Sequence, residues 1–146
     1  METTPNQEKP AVEEATPKKP KYDSTELMKI FDDLLFNGEY AEEVKIRGKL
    51  AVTFRTRSTS EVMDIAKELD KTSYNLISTL QQERAFQALI YSLSEYQGKD
   101  LTVMSKEDKI KFLNKLPLNI VDTISNELAK FDDKVAAACQ EGEQNF

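Results

Sequence analysis

The chain has 146 residues, of which 39% are hydrophobic and 32% charged, a composition that predicts one domain with a modest core. Its formal net charge of -6 argues against a protein that binds nucleic acid over its whole surface, because phosphate contacts need clustered Lys and Arg. It contains no histidine, the usual general base near neutral pH and the commonest metal ligand, so we expect no catalytic site, no metal site and no cofactor.

The N-terminal part of the chain changes character near residue 23. Residues 1–22 hold four of the five prolines and few apolar side chains. Such a segment cannot bury enough surface to offset its ordering entropy, which predicts a disordered tail rich in Pro, Lys and Glu. Asp23 with Glu26 then forms a helix-capping pattern, followed by apolar residues at helical spacing. We predict a first helix over 24–37, ended by Gly38.

Residues 42–57 alternate between apolar and basic side chains. The apolar positions are Val44, Ile46, Leu50, Val52 and Phe54. The basic positions are Lys45, Arg47, Lys49, Arg55 and Arg57. Successive side chains of a strand point to opposite faces, so one face is apolar and the other basic. The parity predicts a hairpin with a three- or five-residue turn around Gly48, and we expect its basic face to meet an acidic protein partner.

Two further helices are predicted after the hairpin. The motif STSE from Ser58 repeats the capping pattern and begins a second helix that ends near Asp70. Thr72 or Ser73 can cap a third helix, which we expect to continue to Gly98. Its apolar spacing is interrupted by the polar run QQER, where we expect a bend or a local departure from the core.

The last third of the chain predicts two more helices. Ser105 and Asp108 open a short fourth helix that Pro117 stops. A final helix over 118–138 carries an apolar stripe at spacings of three and four, which fits either core packing or a partner helix. The stripe consists of Val121, Ile124, Leu128, Phe131 and Val135. Residues 139–146 are expected to form a frayed acidic end.

These elements predict an α+β fold, mainly α, with one β-hairpin packed against a bundle of about five helices in a single domain over 23–138. No run approaches the roughly 18 uninterrupted apolar residues of a membrane helix, so we expect no membrane partner and a cytosolic location. The chain contains no phosphate loop, zinc spacing, dinucleotide fingerprint or calcium loop. Amphipathic helices without such motifs favour a protein that acts by binding.

Four segments carry a resemblance to a known family. In chain order they are FDDLLFNG, EEVKIRGKLAVTFRTRSTSEV, FQALIYSLSEYQGKDL and LNKLPLNIVDTISNELAKF. Over roughly residues 27–131 this pattern resembles the tail assembly chaperones of tailed bacteriophages and similar small baseplate or hub assembly proteins. The long proline-rich tail departs from that pattern.

The resemblance implies a non-enzymatic protein of the infected host cytoplasm that holds the tape measure or another tail component until assembly. Two alternatives remain open at this point. One is a structural component retained in the virion tail or baseplate, and the other is a nucleic-acid-binding module that uses the basic hairpin face. The basic face lacks the aromatic residues that stack on bases, which argues against nucleic acid. A homo-oligomer is compatible with the pattern.

Overall fold

The computed structural model of the protein describes residues 22–71 and 77–144, so the tail predicted over 1–22 lies outside the described residues except for Tyr22. Within them the chain forms five helices and four strands. They are α1 Ser24–Asn37, β1 Ala41–Ile46, β2 Leu50–Arg55, α2 Thr59–Asp70, α3 Ile77–Ser92, β3 Leu93–Tyr96, β4 Lys99–Asp100, α4 Lys106–Lys115 and α5 Leu118–Gln144. The strands form one antiparallel sheet in the order β1-β2-β3-β4. The α+β, mainly α prediction is confirmed.

Three of the predicted capping patterns mark observed helix starts, and the cap predicted at Thr72 or Ser73 lies outside the described residues. The Asp23 side chain accepts a hydrogen bond from the Thr25 amide at 3.4 Å, and α1 begins at the next residue after the cap. Ser58 accepts from the Glu61 amide while the Glu61 carboxylate accepts from the Ser58 amide, which is a complete capping box for α2. Ser105 caps α4 in the same way, by accepting from the amide three residues later.

The first hairpin has the predicted register. Val44 lies opposite Val52 and Ile46 opposite Leu50, so three residues close the turn. Arg47 and Gly48 both have positive φ, 54° and 67°, a conformation that glycine adopts without strain and that tight hairpin turns require. The apolar face therefore stays together and packs on the core.

The prediction that the third helix continues to Gly98 is wrong. Helix α3 ends at Ser92, and Leu93–Tyr96 form β3, whose Glu95 lies opposite Thr53 and whose Tyr96 lies opposite Val52. Glycine 98, with φ of 80°, belongs to the turn that leads into β4 rather than to a helix end. The open edge of β2 is the physical reason, because its unpaired backbone groups are satisfied only if the chain after Ser92 becomes extended.

The predicted helix over 118–138 and the frayed end from residue 139 also need correction. Helix α5 continues to Gln144, and Ala138 and Gly142 are buried near its end. Helix α1 packs along this part of α5 and covers it, with Leu27, Ile30 and Ala138 in a common apolar cluster. The extra turns are stable because they bury apolar surface, since helix ends in water fray.

The main core lies between helices α3, α4 and α5 and the face of the sheet that carries the apolar side chains of the hairpin. Phe54, Leu89, Leu93, Leu113 and Ile124 are all fully buried there. This arrangement supplies the cover that an isolated hairpin lacks.

Candidate functional site

The five cations predicted to form one basic face fall into two groups. Arg55 and Arg57 lie in intramolecular ion pairs. The Arg55 guanidinium donates to both carboxylate oxygens of Glu61, with Nη1 to Oε1 at 3.0 Å, and lies 3.7 Å from Glu39. The Glu61 bond is the main cause that raises the pKa of Arg55, and the reciprocal bond lowers the pKa of Glu61. A paired guanidinium of this kind fixes α2 against β2.

Arg57 joins the segment after β2 to two distant helices. Its Nη2 atom donates to Oδ2 of Asp132 on α5 at 2.8 Å, and its Nη1 atom donates to the hydroxyl of Ser92 at the end of α3. Ser92 is fully buried. The sequence prediction that Arg55 and Arg57 form part of an open basic face is therefore corrected, because both guanidinium groups are already paired within the chain.

The other three cations surround the hairpin turn and are open to solvent. Lys45, Arg47 and Lys49 are exposed and have no hydrogen bond or ion pair of their side chains within residues 22–71 and 77–144. They form a small basic tip rather than a basic face. That this tip binds an acidic partner stays a prediction.

A buried lysine lies beside the Arg55–Glu61 pair. Lys109 on α4 is 8% exposed. Its pKa is lowered to about 8, mainly by burial and also by the nearby charge of Arg55, while Glu61 opposes the change. Lys109 stands four positions before Leu113 and seven before Leu116, so helical spacing places it on the apolar side of α4, although its charge predicts exposure.

The apolar stripe of the last helix lies inside the molecule. Ile124, Leu128 and Phe131 are buried in the main core, and Val121 and Val135 pack against it. The Phe131 ring stacks on Tyr40 at 5.9 Å between centroids. Of the two interpretations of the stripe, core packing is the observed one, and the partner-helix interpretation is wrong because the chain's own sheet and helices cover these side chains.

An apolar groove lies between α2 and α3. It has a volume of about 570 Å³. Its lining consists of Arg57, Val62, Ile65, Ala66, Leu69, Asp70, Leu80, Arg84 and Ala88. Leu80, Arg84 and Ala88 repeat every four residues and so share one side of α3. The polar run QQER therefore places Arg84 in the middle of the side of α3 that faces α2. The described residues leave the groove open to solvent there.

The lining of this groove includes exposed apolar and exposed charged side chains. Val62 lines the groove and is 50% exposed, whereas its neighbour Met63 is 53% exposed and lies outside it. Arg84 and Asp70 are exposed at the lining and have no ion pair within the described part of the chain. The groove thus offers apolar contact over most of its length and one unpaired cation near its middle.

Two other kinds of feature, a metal site and a membrane-spanning helix, are absent from the described residues. Among the described residues no three His, Cys, Asp or Glu side chains are placed to hold a metal ion. None of the described helices is both long and apolar enough to cross a membrane. No family model, curated protein sequence or solved structure matches the chain. The groove and the basic tip are therefore the two surface features that bear on its function.

Proposed function

We propose that this chain is a non-enzymatic protein of phage tail morphogenesis that binds another tail component, the tape measure or a baseplate or hub protein, as an assembly chaperone. The groove between α2 and α3 supports the proposal most directly. Its apolar lining combines the exposed Val62 with Ile65 and Leu69, and apolar grooves of this kind are used to bind other proteins.

The occupant that fits the groove is an amphipathic helix of the partner. Val62 and Leu69 stand seven positions apart on α2, or about 10 Å along the helix axis, which matches apolar residues at i, i+3 or i+4, and i+7 of a second helix. Arg84 favours an acidic side chain on that helix, because an opposite charge would pair with its exposed guanidinium. Holding such a helix keeps its apolar face from aggregating, which is what a chaperone of tail assembly does.

Co-purification tests the proposal. The full chain is co-expressed with the tape-measure protein and, separately, with the baseplate and hub proteins of the same phage. We expect stable capture of at least one of them. Val62→Glu places a charge in the groove and is expected to reduce capture at least tenfold, because a buried unpaired carboxylate costs far more than about 1.4 kcal/mol.

Met63→Glu is the matched control. It introduces the same side chain at an adjacent position of almost equal exposure, but outside the groove. Capture by this variant is expected to equal that of the native chain. If none of the tail proteins is captured, or if both variants bind equally well, the proposed function of the groove is wrong.

Retention in the virion is the alternative within the same class. Mass spectrometry of purified particles distinguishes the two, since a chaperone is absent from finished virions and a structural component is present in a fixed ratio to the baseplate proteins.

The nucleic-acid alternative depends on the basic tip. With Arg55 and Arg57 paired inside the chain, only three cations of the predicted set are open, and about three phosphate contacts give a slope of about -3 in a plot of log affinity against log salt. A gel shift with single- and double-stranded nucleic acid at two salt concentrations measures it. A steeper slope would favour nucleic acid over the helix-binding proposal.

A further inference from the structure

The outer edge of β1 is an unpaired strand edge. Strand β1 is the first in the sheet order, and among residues 22–71 and 77–144 only β2 pairs with it. The Thr56 amide donates to the Tyr40 carbonyl, which makes residues 40 and 56 a hydrogen-bonded pair. Because such pairs alternate along an antiparallel ladder, the even residues of β1 face β2 and the odd residues direct their amides and carbonyls outward.

The outward residues are Ala41, Glu43 and Lys45. Their backbone groups have no hydrogen-bond partner within the described residues. The side chains of Glu43 and Lys45 are exposed, and neither forms an ion pair there. An exposed edge of this kind is a template for one further strand.

The sequence of β1 is complementary to itself in one register. When two copies of β1 lie antiparallel, their outward backbone groups bond only if odd residues of one copy face odd residues of the other. The allowed registers therefore differ by steps of two residues. A register centred on Glu43 puts Glu43 opposite Glu43 of the second copy, and one centred on Lys45 puts the two lysines together. The register centred on Val44 puts each Glu43 opposite Lys45 of the second copy. Opposite charges directly across a strand pair stabilise it, and like charges destabilise it.

We propose that β1 is a homodimerisation edge, on which two copies of the chain pair antiparallel about a two-fold axis at Val44. Glu43 and Lys45 exchange backbone hydrogen bonds with each other across the axis, about four bonds in all, and their side chains form two ion pairs. Val44, which is half-buried in one copy, contacts Val44 of the second copy on the apolar face. This surface is separate from the groove, and the inference stands whether or not the proposed function is correct.

The dimer is expected to exchange with monomer. One strand pair buries less than the roughly 1,200 Å² of a stable interface, so association should depend on protein concentration and, through the exposed ion pairs, on salt. The self-complementary charges are the reason to prefer a second copy over an extended segment of another protein as the occupant.

Sedimentation equilibrium of the full chain, in a concentration series that reaches the millimolar range, tests the association. Lys45→Glu and Glu43→Lys each replace both ion pairs with like charges and are expected to weaken dimerisation about tenfold or more. The double variant Glu43→Lys with Lys45→Glu restores opposite charges and should dimerise like the native chain. Lys111→Glu, at an exposed and unpaired position of α4, is the control for charge alone.

Cross-linking tests the register. Facing residues that are not hydrogen-bonded have Cα atoms about 4.5 Å apart, within disulfide range, so Val44→Cys in a Cys139→Ala background should give a covalent dimer under mild oxidation. Glu43→Cys, which does not face itself in this register, should not.

A chain that stays monomeric at every concentration overturns the proposal. So does a dimer whose affinity is unchanged by both Lys45→Glu and Glu43→Lys, or one that cross-links through position 43 and not 44. Such a dimer would use another surface. If a bound tail protein prevents cross-linking through position 44, the edge instead binds a strand of that protein. Val62→Glu leaves dimerisation unchanged in every case, which keeps the edge and the groove distinguishable.

Discussion

The ring of Phe31 lies against Gly142, so a Cβ added at Gly142 would come within 2.6 Å of the ring carbon Cδ2. Real Cβ atoms do not approach carbon this closely, and α1 and the end of α5 therefore pack at Gly142 without room for a larger residue. The contact explains why a helix end that looks solvated in sequence is ordered to Gln144.

Gly142→Ala is expected to destabilise the protein. Alanine is the better helix former by about 1 kcal/mol, but overpacking against Phe31 costs about 1–3 kcal/mol, so we expect a net loss of about 1 kcal/mol in the free energy of unfolding. Urea denaturation measures it. The control is Glu143→Ala, which changes an exposed neighbour on the same helix. In a Phe31→Leu background the loss should shrink, and a more stable Gly142→Ala chain would contradict the close approach.

The two groups of cations predict different effects of removing charge. Arg57→Ala should lower the free energy of unfolding by about 1–3 kcal/mol, because it removes the bond to Asp132 and leaves the buried Ser92 hydroxyl without that donor. Arg47→Ala should change it by less than about 0.5 kcal/mol, as for exposed surface positions. Thermal and urea unfolding of both variants provide the measurement. Equal effects of the two substitutions would mean that the Arg57 contacts contribute nothing.

Lys109 predicts a pH dependence with a definite sign. Its pKa falls from 10.5 to about 8 on folding, so between these values the unfolded chain binds more protons and stability rises with pH. Lys109→Met removes the cost of burying the charge and should stabilise the protein at pH 7 by an amount on the order of 1–3 kcal/mol. That advantage should shrink steadily between pH 8 and pH 10.5. Urea unfolding of both proteins across this window tests it, and a constant difference would show that Lys109 does not titrate as its burial requires.

Tyr40 predicts an effect at still higher pH. Its hydroxyl donates to Oε1 of Glu42 at 2.6 Å, and burial, followed by that bond, raises the pKa of Tyr40 well above its ordinary value. The folded state thus favours the protonated phenol, and its contribution to stability is present below pH 10 and lost as the phenol ionises. An ultraviolet titration of tyrosine ionisation should show one late component that is missing from Tyr40→Phe. Loss of a different component would contradict the assignment.

Much of the local structure followed from short-range rules. The ends of α1 and the starts of α2 and α4 depend on caps formed by Asp23, Ser58 and Ser105 with groups a few residues away, so they could be predicted without the rest of the chain. The register of the first hairpin likewise follows from parity, because shifting it by one residue would turn its apolar side chains to water.

The candidate sites could be predicted only in part. The alternation over 42–57 located every basic side chain, and three of the five are open as expected. It could not show that Arg57 would meet Asp132, which lies 75 positions later in the chain, or that Arg55 would be held by Glu61. The QQER run was the one sequence signal for the groove. It could be interpreted only once the side of α3 that faces α2 was known.

By itself the sequence determined the caps, the hairpin and the mainly helical character, because each of these depends on the backbone geometry and side-chain period of a short segment. Tertiary structure alone decided that Leu93–Tyr96 is a strand, that Lys109 is buried and that α5 continues to Gln144. For the strand and the end of α5 the free energy comes from a partner far away in the chain, which is the open edge of β2 in one case and the face of α1 that lies against Gly142 in the other. The burial of Lys109 instead costs free energy and follows from the packing of α4, whose Leu113 lies in the core.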